Sequence, residues 1–79
     1  MISKYIDQAL ARARYERLED GTFCGTVTGL RGVMALGRNI ERCRKQLAEV
    51  VEEWILVRVA RGLDVPKLGG VSVRVRRAS

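Results

Sequence analysis

Apolar residues recur along the start of the chain at a helical spacing. Ile2, Ile6, Ala9, Leu10 and Ala13 follow at three- and four-residue intervals, while Lys4, Asp7, Gln8 and Arg12 fall on the other side. This pattern predicts an amphipathic helix over residues 2–11, with Ser3 as its cap. From Ala13 the period shortens to two. Arg14, Glu16 and Leu18 alternate with Ala13, Tyr15 and Arg17, which predicts a strand over residues 13–18. Glu19-Asp20-Gly21 is then a turn, because Asp-Gly supplies the positive φ angles of a tight hairpin. A second strand follows over residues 22–28, with Phe23, Gly25 and Val27 on one face and Thr22, Cys24, Thr26 and Thr28 on the other. Gly29-Leu30-Arg31-Gly32 is a second turn, and Val33-Met34-Ala35-Leu36 a short third strand closed by Gly37. Consecutive strands with links this short can only run as an antiparallel meander.

Asn39 is placed to cap a long helix over residues 40–61. Its expected inward stripe is Ile40, Cys43, Leu47, Val50, Val51, Trp54 and Val57. Glu41, Arg42, Arg44, Lys45, Gln46, Glu49, Glu52 and Glu53 face water, and Glu41 and Lys45 are spaced for an i,i+4 pair. The second half of this helix is apolar nearly all round: Trp54-Ile55-Leu56-Val57, then Val59. Such a helix must bury two faces, and one small sheet covers only one. Trp54, Ile55, Leu56 and Val59 are therefore the expected interface of a homo-oligomer, a dimer or tetramer. Gly62 ends the helix and Pro66 lies in the loop beyond. Val71, Val73 and Val75 then alternate with Ser72, Arg74 and Arg76, which predicts a last half-buried strand. The whole is an α+β chain of order αβββαβ, one domain over residues 1–79, with the meander and C-terminal strand packed on one long helix.

Composition narrows the partners. A chain of 79 residues builds a small core, for which association is a common remedy. No apolar run reaches the roughly 18 residues of a membrane span. The N-terminal segment carries Asp7 where a signal peptide needs an apolar stretch, so no membrane and a cytoplasmic address are expected. The net charge of +6 suits a phosphate backbone or an acidic protein. Arg38, Arg42 and Lys45, at the start of the long helix, and Arg74, Arg76 and Arg77, in the tail, are the candidate contacts for such a partner or for nucleic acid.

Candidate chemistry is sparse, and the expectation is no enzyme, no metal and no cofactor. The chain has no histidine to activate Cys24, Cys43, Ser3 or Ser72, and the two cysteines form no zinc or CxxC pattern. They read as buried thiols. Metal-dependent nuclease chemistry needs convergent carboxylates. Asp7, Glu16, Asp20, Glu41, Glu49, Glu52 and Glu53 are instead scattered over two helices, a strand and a turn. The glycines fall in turns, none in a strand-to-helix phosphate loop.

Ala13-Arg14-Tyr15-Glu16-Arg17-Leu18-Glu19-Asp20-Gly21-Thr22-Phe23-Cys24-Gly25, then Gly29-Leu30-Arg31-Gly32-Val33, Ala35, Gly37, Glu41, Cys43 and Glu53-Trp54 form a string that resembles the HicB antitoxin family. The resemblance spans roughly residues 3–66 and is closest to a short form that begins with a helix. It implies a truncated ribonuclease-H-like sheet. It also implies a non-catalytic role: binding and silencing a HicA-type messenger-RNA-cleaving toxin by stoichiometric association. Many members add a C-terminal DNA-binding unit; the expectation here is the short form without one. Arg31 stands where the family usually has proline, and Arg38-Asn39 where it has an acid and threonine. The αβββα order is also that of double-stranded RNA-binding domains, so RNA binding through Arg38, Arg42 and Lys45 is the alternative expectation.

Overall fold

The computed structural model describes residues 2–70 and contains two helices and one sheet. The elements are α1 (Ile2–Ala11), β1 (Ala13–Arg17), β2 (Phe23–Val27), β3 (Met34–Gly37) and α2 (Ile40–Ala60). The strands form an antiparallel sheet in the order β1-β2-β3. The small α+β arrangement of helix, meander and long helix thus follows the hydrophobic pattern. The expected last strand, with Arg74, Arg76 and Arg77, lies outside the described residues.

Each boundary has a local cause. At the β1–β2 turn the Asp20 carboxylate accepts from the Thr22 backbone N–H at 3.0 Å and from its hydroxyl at 2.6 Å. Gly21 takes the positive φ of 87° that the reversal demands. At the start of α2 the Arg42 N–H donates to Asn39 Oδ1 at 2.8 Å, satisfying an amide that the helix leaves without a partner. At its end the Leu63 N–H reaches the Arg58 carbonyl at 2.8 Å and the Gly62 N–H reaches the Val59 carbonyl at 3.1 Å. That pair of hydrogen bonds is the Schellman pattern, and Gly62 adopts its left-handed conformation with φ 70°.

The core lies between the sheet and the helices. Tyr5 and Ala9 of α1, Val27, Val33 and Ala35 of the meander, and Cys43, Leu47, Val51 and Ile55 of α2 are buried. Leu68, beyond α2, is buried as well, against the Gly29 turn. The seat of α2 on the sheet depends on two residues without side chains. A Cβ on Gly37 would lie 2.4 Å from the Cys43 nitrogen and 2.7 Å from its Cα, so helix backbone rests directly on strand backbone. A Cβ on Gly25 would meet Cys43 Sγ at 3.0 Å and the Tyr15 ring at 3.2 Å.

Expectations on both helices need correction: Ser3 lies inside α1, which begins at Ile2, and so is not its cap. Ile55 is not on a second helix face: it is fully buried in the core of its own chain. Ile40 and Val57, expected inside, are 49 % and 50 % exposed. The physical reason is rotation about the helix axis: anchoring Cys43 on Gly37 centres the buried ridge on Cys43, Leu47, Val51 and Ile55. Each four-residue step advances this ridge by only about 40°. Finally, α1 buries Tyr5, which the aliphatic spacing alone passes over; its hydroxyl donates to the Pro66 carbonyl, tying α1 to the segment after α2.

Candidate partner-binding surfaces

Two surfaces of α2 carry the residues singled out from the sequence. On the C-terminal half, Leu56 is half exposed; nine residues on from Leu47, it points about 180° away from the core. Val59 and Trp54 are partly buried and pack against the edge of the core. The Arg58 guanidinium lies over the Trp54 ring, 4.9 Å from its centroid, and its Nε donates to the Asp64 carbonyl at 2.6 Å. Trp54 is thus a covered flank, with its ring face occupied by a cation. Leu56, Val57 and Leu63, just beyond the helix, are the exposed aliphatic groups here. Of the four expected interface residues the fold leaves Leu56 outermost, draws Trp54 and Val59 part-way in, and removes Ile55.

On the N-terminal half, Arg38, Arg42 and Lys45 are all exposed, joined by Arg44. Arg42, Arg44 and Lys45 line an open cleft of about 830 Å³ that extends to Leu10 of α1. Glu41 and Glu49 share that lining, so the cleft is mixed in sign rather than purely cationic. Proximity to the helix N-terminus favours anions in the first turn, and Glu41 already occupies it.

The outer face of the sheet, opposite α2, is a third surface, whose apolar residues Met34 and Leu36 carried no site expectation. Strand alternation turns Arg14, Glu16, Cys24, Thr26, Met34 and Leu36 outward. Met34 and Leu36 are the most exposed of them among large apolar groups, at 56 % and 54 %. The available signal was the short apolar run Val33–Leu36: a period of two sends half of such a strand to the outside.

Burial and hydrogen bonding shift three titratable groups among the described residues. Burial pushes the Cys43 thiol up, with Cys24 nearby adding to the effect and a hydrogen bond from the Gly25 backbone opposing it. Its Sγ lies 3.5 Å from the Ala35 carbonyl, and both cysteines are free. Cys24, expected to be buried, is only partly so because it faces outward. Burial likewise raises the Tyr5 phenol, against the lowering effect of Arg58. Hydrogen bonds from the Thr22 side chain and backbone lower the Asp20 carboxyl. Among the described residues no group of three or more acidic, cysteine or histidine side chains is placed to hold a metal ion. No described helix is long and apolar enough to cross a membrane.

The fold and sequence have recognisable counterparts. The crystal structure of TTHA0281 from Thermus thermophilus superposes with a TM-score of 0.88 at 34 % identity, over 96 % of this chain and 95 % of that one. No curated protein sequence matches the chain. The profile of the UPF0150-like family, a small family associated with HicB and toxin–antitoxin systems, matches residues 4–66. That span runs from α1 through both turns and α2 to Pro66, the residue bonded to Tyr5. With its meander, its helix caps and most of its length accounted for, the chain belongs to the UPF0150-like family.

Proposed function

We propose that the protein is a non-catalytic, cytoplasmic antitoxin-type binding protein. It silences a HicA-like, messenger-RNA-cleaving toxin by stoichiometric association, and it does so as a dimer or tetramer. The observation that carries this reading is the exposed aliphatic back of α2, Leu56 and Val57 with Leu63, on a chain of the UPF0150-like family. Exposed apolar groups on a small domain mark a contact surface. Burying a Leu side chain in such a contact is worth roughly 1.5–3 kcal/mol relative to leaving it in water. The mechanism is occlusion, with no group on this chain acting on the RNA.

The test is co-expression with the product of a HicA-like gene. Growth arrest by that product alone, relieved by this protein and not by its Leu56→Glu variant, is the expected result. Undiminished RNA cleavage in the presence of excess protein refutes the proposal. A second reading, RNA binding, draws on the exposed Arg38, Arg42, Arg44 and Lys45. It predicts salt-dependent binding to duplex RNA that weakens in an Arg42→Glu/Lys45→Glu variant.

A further inference from the structure

We infer that the outer face of the sheet is a self-complementary surface on which a second copy of this chain docks through a twofold axis. This face is separate from the back of α2. In antiparallel register Arg14 pairs with Thr26 and Thr26 with Met34, while Glu16 pairs with Cys24 and Cys24 with Leu36. These residues form two parallel rows across the three strands. Each row has one charged residue on β1, one short side chain on β2 and one large apolar side chain on β3. The rows match in type and are opposite in charge.

A twofold axis that runs across the strands, between the rows, lays each row on the other row of the second copy. Arg14 then meets Glu16 of the partner subunit, and Met34 meets Leu36 of the partner subunit, each contact made twice. At the centre Thr26 meets Cys24 of the partner subunit. The alternative axis, along the strands, sets Arg14 over a methionine and leaves both charges without a counterpart. Charge complementarity therefore selects the first arrangement. Facing sheets pack about 10 Å apart, a gap that Arg with Glu, and Met with Leu, can span from the two sides. A partner of unrelated sequence has no reason to carry this face's own pattern in exchange; a copy does so by symmetry.

The experiment is sedimentation of the full chain at micromolar concentration. The expected mass is twice the 8.9 kDa of the chain. Arg14→Glu and Glu16→Arg should each weaken association by about tenfold or more, because each sets like charges against one another. The combined Arg14→Glu/Glu16→Arg variant should restore it, and Met34→Asp should abolish it. Melting curves at dilution show that the variants fold. Three results overturn the inference: a monomeric wild type, a folded double swap that fails to reassociate, or single swaps without effect while Leu56→Glu yields monomer. The last places the interface on α2. Toxin neutralisation is read in separate cells, so loss of the sheet interface leaves the proposed function to stand or fall by its own test.

Discussion

Truncating Ile55 and Leu56 separately to alanine tests the rotational setting of α2. The two residues are adjacent and both aliphatic, yet Ile55 is fully buried and Leu56 half exposed. Removing a buried Ile side chain costs about 2–5 kcal/mol, the sum of lost transfer energy and the cavity left behind. At roughly 0.05–0.15 kcal/mol per residue, a domain of this length has about 4–12 kcal/mol in total. Ile55→Ala therefore removes a third or more of it in the middle of those ranges. For domains of this size each kcal/mol shifts the melting temperature by roughly 4–8 °C, so a loss near 3 kcal/mol lowers it by about 12–24 °C. Leu56→Ala removes a side chain already half in water and inserts a stronger helix former, for a net cost below about 1 kcal/mol. Urea titration reads both, the midpoint falling at constant slope. It should be repeated over a range of protein concentrations, because association adds to apparent stability. Equal losses for the two variants, or a loss below about 1 kcal/mol for Ile55→Ala, would refute the assigned helix face.

Other consequences follow from the same contacts. Gly37→Ala drives a methyl group into the backbone of Cys43, which cannot swing aside, and should cost about 1–3 kcal/mol or more in a thermal melt. Tyr5 has a folded pKa above its ordinary 10.0. Its contribution to stability is therefore complete below that value and is lost as pH rises through the raised one. Unfolding measured across alkaline pH should show this fall, and Tyr5→Phe should remove it while also losing the bond to Pro66. Cys43, buried and with its thiolate disfavoured, should resist maleimide in the folded protein and label only on denaturation.

Local chemistry alone determined much of this fold. Asp20-Gly21 is a turn in any context, because its carboxylate closes on Thr22 and its glycine accepts positive φ. Alternation over residues 13–17 and 23–27 needs a half-buried strand, and Asn39 and Gly62 close α2 with their own backbone or side-chain groups. Each of these is a decision among near neighbours, legible from a few residues. The facing of α2 is different. With apolar residues on every side from Trp54 to Val59, several rotations bury nearly equal hydrophobic area, so pattern cannot choose among them. Packing chooses: Gly37, on a strand that precedes the helix, admits the backbone of Cys43, and that contact turns Ile55 inward and Leu56 outward. Tyr5 was settled in the same way, by Pro66 across the fold. The sheet's outer rows needed the register as well, since only pairing β1 with β2 and β2 with β3 lines up Arg14, Thr26 and Met34. Periodicity reports how much of an element is apolar; which part of it meets the core is decided by the few close contacts that sterics allows between elements.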